Sequence, residues 1–368
     1  MRLDIDGRNC ELESGRSILD AVKKEGLDSI MLSDRPLAAQ IGGEVFNLRF
    51  TPKKDTQIHL LRYGEDMGRR VYERTLQFLF ILAMRKEFPR ARVCVRYSLG
   101  PGLFITVDGM EEPFNEEAAL KVETEMRRLV RLKLPLERRR ISIKEALSFY
   151  EQDGQADKAK LLKWRRFSYF DVYQIDGYMD YFYGEMAPDT SYADVFRVKY
   201  VHDGAVVLLM PRSDAPDVPS DYVDLPKLHA VFHQSDEWGK LMECATVNDL
   251  NTHIQNGTIR ELVRINEALH DRGYADIADK IVQKGAKAVL VAGPSSSGKS
   301  TSAHRISTQL RLQGCHPVML SLDDYYIDRD NIERDENGEI DLENINTLDI
   351  QRFGSDLAAL IRGEKVEV

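Results

Sequence analysis

Gly293-Pro294-Ser295-Ser296-Ser297-Gly298-Lys299-Ser300 fits the spacing G-x-x-x-x-G-K-[ST]. Glycines at the two fixed positions let backbone amides turn inward around an anion, and a following helix adds its positive dipole end. In such a loop Lys299 reaches the β- and γ-phosphates of a nucleotide and the Ser300 hydroxyl ligates Mg²⁺. Thr301 completes the segment. The plainer alternative is a Gly/Ser-rich turn that contains a lysine. A second group follows about one helix later, Ser321-Leu322-Asp323-Asp324-Tyr325-Tyr326. A carboxylate at the carboxyl end of a parallel strand faces the ligand crevice, where it accepts a hydroxyl proton or holds Mg²⁺ through water. Otherwise Asp323 and Asp324 are turn residues.

These residues need elements to hold them. Ala288-Val289-Leu290-Val291-Ala292 reads as a short buried parallel strand. Thr301 to Leu312 spaces Ala303, Ile306 and Leu310 as a helix, with Gly314 beyond its end. Pro317 to Leu322 reads as a second strand. Over all 368 residues, 43% are hydrophobic and 30% charged, the composition of a globular protein of two to four domains. The net charge of -9 argues against a general nucleic-acid-binding surface. No apolar run has membrane-spanning length, and MRLDIDGRNC lacks the apolar stretch of a signal peptide. Cys10, Cys94, Cys244 and Cys315 form no C-x-x-C, which points to buried thiols in a reducing cytoplasm.

The fold class expected is an α/β multidomain protein. Residues 1–62 order as hairpin, helix, hairpin, strand: 2–6, 10–13, a helix opened by Ser14-Gly15-Arg16-Ser17, 36–41 with 45–50, and 56–61. That order is a β-grasp module, and it resembles the TGS domain at the start of threonyl-tRNA synthetases. Residues 63–225 place helices at 71–87 and 116–132 around strands at 93–97 and 103–107, followed by Tyr178-Met179-Asp180 and Val195 to Val198. This succession resembles the editing-type domain of the same synthetases. Those domains hold a metal through H-x-x-x-H and C-x-x-x-H. Aligned on Phe88-Pro89 the histidines fall on Arg74 and Phe78, and aligned on Tyr178-Met179-Asp180 and Gly184 the other pair falls on Phe182 and Met186. None is a zinc ligand, so no zinc site is expected there, and Phe78, Phe182 and Met186 are expected to fill the centre. A residual tRNA- or RNA-binding role stays open, with no residue pattern asserting it. Arg138-Arg139-Arg140 reads as solvated surface more than a nucleic-acid patch. Pro211, Pro216, Pro219 and Pro226 mark a linker. Residues 226–284 read as a helical connector. His229 and His233 share one helix face, and with no third ligand in view they read as structural histidines.

From 285 to 368 the chain is similar to the uridine kinase and phosphoribulokinase family, on Gly293 to Thr301, on Ser321 to Tyr326, and on the acidic stretch Asp341 to Asp349. The resemblance implies the amino-terminal part of a P-loop α/β kinase domain, incomplete in these residues. It implies ATP and Mg²⁺ as cofactors, a nucleoside partner and phosphorylation of a uridine- or cytidine-like 5′-hydroxyl. Asp323 is implied as general base, Lys299 as the catalytic cation, and Tyr326 and Glu343 as substrate contacts, with Asp341 competing for the place of Glu343. The complete order of modules resembles a bacterial nucleoside kinase family. The alternatives are a nucleotide-sensing regulatory or RNA-binding protein without turnover, and a kinase for another sugar-like alcohol.

Overall fold

The computed structural model describes residues 1–202, 204–328, 332, 341 and 344–367. The chain divides into two compact units, Met1–Asn251 and Thr252–Val368.

In the first unit, β1 (Arg2–Ile5) and β2 (Arg8–Glu11) form a hairpin. Its turn is Asp6-Gly7, both at positive φ, which glycine adopts without strain. The helix α1 (Ile18–Lys24) starts from a capping box. The Asp20 amide donates to Ser17 Oγ at 3.2 Å, and the Ser17 amide donates to the Asp20 carboxylate at 2.8 Å. Strands β3 (Ala38–Ile41), β4 (Glu44–Phe46) and β5 (Thr56–Leu61) complete a sheet of order β2-β1-β5-β3-β4, with β1 and β5 parallel. Leu3, Ile5, Ile18, Val22, Ile58 and Leu60 close its core. The order of elements is the hairpin, helix, hairpin, strand expected from the sequence.

The long helix α2 (Asp66–Glu87) is buried on most of its circumference, from Val71 to Met84. A helix with so broad an apolar surface needs neighbours on several sides. They are β6 (Arg92–Leu99), β7 (Gly102–Asp108) and α3 (Glu116–Leu132), whose Asn115 cap accepts from the Ala118 amide at 2.9 Å. β8 (Glu137–Ser142), α4 (Ile143–Gln152), α5 (Ala156–Leu162), β9 (Tyr169–Ile175) and β10 (Tyr178–Asp180) make a satellite layer, with sheet order β10-β9-β8. Its polar centre is Asp180, buried, which accepts from Lys158 Nζ at 2.6 and 2.7 Å and from the Tyr181 amide at 2.8 Å. A carboxylate with this many donors meets the requirement for burying a charge.

β11 (Arg197–His202) and β12 (Ala205–Leu209) extend the sheet to the order β11-β12-β7-β6. β12 is buried at every position because both faces are covered. Val206 and Leu208 point to the α2–α3 core, while Ala205, Val207 and Leu209 point to Phe104, Tyr222 and Leu225. The stretch expected as a proline linker is structured. β13 (Pro211–Arg212) and β14 (Ala215–Pro219) pair, Tyr63 Oη donates to the Pro211 carbonyl at 2.7 Å, and the Ser33 amide donates to Asp217 Oδ1 at 3.0 Å. Proline stiffness here serves an edge hairpin, where missing donors cost nothing. The helices α6 (Pro226–Leu241) and α7 (Val247–Asn256) follow. Cys10 is buried as expected, whereas Cys94 is exposed on the edge strand β6.

In the second unit, α8 (Ile259–Gln283) packs on α9 (Lys299–Leu312) through Ala278, Ile306 and Leu310, with Tyr274, Ile281 and Cys315 around them. α10 (Ile350–Ile361) is capped by Asp349, which accepts from the Arg352 amide at 2.9 Å. The strands expected at 288–292 and 317–322 are not formed. Among the described residues of this unit there is no strand, only an isolated bridge between Tyr326 and Leu348. A parallel strand takes all its hydrogen bonds from neighbours, and neither segment has such a neighbour, so Leu290 stands 85% exposed and Val318 66%. The expected P-loop α/β sheet is therefore not present in the described residues.

No described helix is long and apolar enough to cross a membrane.

Candidate functional site

The glycine loop runs straight into α9. Gly298 is the N-cap of α9 at φ 86°, and Ser296 is also left-handed, at φ 59°. At Gly293 a Cβ would sit 2.7 Å from Ser297 Oγ, so a side chain there would make the Ser297 hydroxyl rotate away. Lys299 lies over the loop and donates to the Gly293 carbonyl at 2.9 Å and the Pro294 carbonyl at 3.0 Å. Pro294, Ser295 and Ser297 form the turn, the Ser297 amide bonding to the Pro294 carbonyl at 3.2 Å, and Ser300 and Thr301 lie in the first turn of α9.

Asp323 sits on a single 3-10 turn, Leu322–Tyr325, capped by Ser321, whose Oγ accepts from the Asp323 amide at 3.3 Å. Tyr325 beneath it is buried, donates to Asp356 at 3.2 Å, and meets the Phe353 ring edge-on at 5.2 Å. Tyr326 is 43% exposed. No hydrogen bond or ion pair joins Lys299 to Asp323. Glu343 lies outside the described residues.

A second site is one that linear reading misses. A cleft of about 1050 Å³ opens between the β4 hairpin, α2 and β8. Its wall carries Arg49, Arg70, Arg74, Arg138 and Arg139 against Glu44, Glu137 and Glu185, a net positive lining in an acidic protein. Arg70 and Arg74 stand one turn apart on α2. Arg74 is half-buried, and burial lowers its pKa, opposed by the charges of Glu73 and Glu185. Its Nε donates to the Glu185 carbonyl at 2.9 Å. Arg138 is ion-paired with Glu185, and with Asp171 at 3.2 Å. The Asp171 carboxyl is held below its usual range, first by its hydrogen bond from Arg140. Arg139 bonds only to Gln174, at 2.6 Å, and Arg70 has no hydrogen bond or ion pair among the described residues. At the rim, the Phe46 and Phe50 rings lie 4.5 Å apart at a 36° tilt, with Phe50 exposed. Arg138, Arg139 and Arg140 are exposed on β8, as expected of solvated surface, and Arg138 and Arg139 line this cleft. The arginines come from three segments that only folding brings together, and of these only the Arg138-Arg139-Arg140 run is visible in the sequence.

Deep to Arg74, at the four positions aligned with the synthetase metal ligands, the side chains are packed. Phe78 and Met186 are fully buried, and the Phe182 ring lies 5.3 Å from that of Phe78. Gly184, at φ +106°, lies flat on the Arg74 guanidinium, where a Cβ would sit 3.0 Å from Cζ. Guanidinium, phenyl and thioether groups do not make a zinc site. Among the described residues no group of three or more His, Cys, Asp or Glu side chains could hold a metal ion.

No family model matches the chain. Curated relatives include a threonine–tRNA ligase of Clostridium kluyveri, 25% identical over 194 residues, 52% of this chain and 30% of the relative. Another, from Carboxydothermus hydrogenoformans, is 27% identical over 175 residues, 45% of this chain and 26% of the relative. A third, from Acetivibrio thermocellus, is 28% identical over 160 residues, 43% and 24%. The chain thus spans less than a third of the length of these relatives. They support the synthetase part of the resemblance. They also overturn the expected nucleoside phosphorylation, since the enzymes they name are tRNA ligases and not kinases. Uridine kinase and phosphoribulokinase are accordingly withdrawn as descriptions of the chain.

Proposed function

We propose that the first unit binds RNA of the tRNA class in the arginine cleft, without metal-dependent hydrolysis. What carries it is the convergence of Arg49, Arg70, Arg74, Arg138 and Arg139 around one cleft, beside the Phe46 and Phe50 rings at its rim. A basic groove with an aromatic platform is what a single-stranded end requires, because arginines meet phosphates while bases stack. The relatives' names supply the tRNA. Phe78, Phe182 and Met186 exclude the water and the metal that an editing centre would need. Labelled tRNA titrated with the full chain is expected to bind with log affinity falling against log salt at a slope of about -2 to -4, for three to five phosphate contacts. Absent binding at low salt, or an affinity that salt does not change, overturns the reading.

A second reading concerns Gly293 to Thr301 and rests on the Lys299 geometry. Lys299 would exchange the Gly293 and Pro294 carbonyls for the β- and γ-phosphates of ATP, Ser300 would hold Mg²⁺, and Asp323 would hold it through water. Binding is proposed, and not transfer to a nucleoside. Calorimetry with ATP and Mg²⁺ is expected to show at least a tenfold loss in Lys299→Ala, about 1.4 kcal/mol, which is within the range for a charge-assisted hydrogen bond. Equal affinity in the variant would rule out the cradle.

A further inference from the structure

A second basic surface begins where the arginine cleft ends. Arg138 and Arg140 are two apart on β8, so their side chains leave the same face of the sheet. Asp171 on β9 bridges them, at 3.2 Å from Arg138 and 2.8 Å from Arg140. Arg138 lines the cleft, whereas the Arg140 guanidinium lies over the Tyr169 ring, 4.1 Å from its centroid. Next to Tyr169 is the turn between α5 and β9, which reads Lys163-Trp164-Arg165-Arg166-Phe167-Ser168. Phe167 stands 60% exposed, with its ring 5.7 Å from that of Tyr169. Arg165 fixes the turn. Its Nε donates to the Tyr169 carbonyl at 3.1 Å, and its guanidinium is 5.6 Å from the Phe167 ring centre and 4.9 Å from that of Phe170. Trp164 is anchored at one edge, where Nε1 donates to Asn248 Oδ1 at 2.9 Å, and it stays 37% exposed. Lys163 and Arg166 are exposed, with no side-chain hydrogen bond or ion pair among the described residues.

A single exposed phenylalanine needs no explanation. Here Trp164 and Phe167 interleave with Lys163, Arg165 and Arg166 in one run of the chain. Held rings beside free cations suit an unpaired nucleic-acid strand, whose bases stack while its phosphates meet the charges. An anionic lipid surface also takes basic and aromatic residues, but it sorts them into an apolar side and a polar side. In this turn they are not sorted, because Arg140 packs over Tyr169 and Arg165 beside Phe167. The Arg138–Asp171–Arg140 row also joins the turn to the cleft along β8, a path of about 20 Å for a strand of this length.

We infer that an unpaired RNA strand seated in the arginine cleft continues over the β8–β9 face onto the 163–169 turn. Bases stack there on Phe167 and Trp164, and phosphates meet Lys163 and Arg166. This rests on the cleft binding RNA. The full-length chain would be titrated at low salt with a labelled oligouridylate of about twenty nucleotides, read by fluorescence anisotropy. Phe167→Ala should weaken binding by about fivefold or more, and Phe167→Trp should retain it, since any flat ring serves a base. The double variant Lys163→Gln/Arg166→Gln should flatten the salt slope by about 1.4, the value for two phosphates on a single strand. All these side chains are exposed, so each variant should keep the wild-type melting temperature. The double variant Arg70→Gln/Arg139→Gln reports on the cleft in the same titration. Loss in that variant with unchanged affinity in Phe167→Ala and Lys163→Gln/Arg166→Gln would overturn this path and leave the cleft standing. Loss in the turn variants alone would overturn the cleft reading instead. Phosphatidylserine vesicles that bind the chain through Lys163 and Arg166, with RNA affinity unchanged in their double variant, would assign the turn to lipid and overturn the inference.

Discussion

Replacing Arg70, Arg74 and Arg139 together by glutamine should lower tRNA affinity on the order of a hundredfold at low salt, and flatten the salt slope by about 2. These three carry no carboxylate ion pair in the cleft. Arg138 is different, because Glu185 and Asp171 already neutralise it. Arg138→Gln alone should therefore change affinity much less, although the two arginines are adjacent in sequence. Arg74 also packs under Gly184, so its loss has a structural component. The double variant of the exposed Arg70 and Arg139 separates the effects. It should keep the wild-type melting temperature and still lose at least tenfold in affinity. If the triple variant binds tRNA with unchanged affinity and salt slope, the cleft is not the RNA site.

Gly68→Ala carries the largest expected effect on stability. Gly68 is buried in the first turn of α2, and a Cβ there would lie 1.9 Å from the Arg62 carbonyl oxygen and 2.6 Å from its carbon. Those are backbone atoms of the segment leading into the helix, and they have no rotamer to change. Either the helix start or the Arg62-Tyr63 strand end must move, and both are anchored. Tyr63 bonds to the Pro211 carbonyl, and the next turn buries Val71 and Tyr72. A cost of about 3 kcal/mol or more is expected, at the upper end for overpacking, read as a lower urea midpoint for the first unit. Gly273→Ala makes the comparison. It lies inside α8 with nothing within 4 Å of its Cβ, so it should stabilise the second unit by about 0.5–1 kcal/mol. An unchanged midpoint in Gly68→Ala would show that the helix start has freedom the close approach denies.

The sequence alone determined the elements whose signals are local. The helix start at Ser17, a turn beginning at Gly7, the apolar residues of α2 and α3, and the glycine loop with its helix were all legible. Each depends on residues within a few positions of one another. It also marked Arg74, Phe78, Phe182 and Met186 as unable to ligate zinc, since side-chain chemistry does not wait on folding. Tertiary structure decided the rest. Residues 288–292 and 317–322 have strand composition, but a strand exists only where neighbours complete its hydrogen bonds, and among the described residues they have none. The proline-rich stretch reads as a linker until Tyr63 and Ser33 reach it. The arginine cleft assembles residues from three segments, and Arg140 reaches the Tyr169 ring from the neighbouring strand. Charge and ring stacking act through space, and the distances that bring these groups within reach are set by packing between segments far apart in the chain.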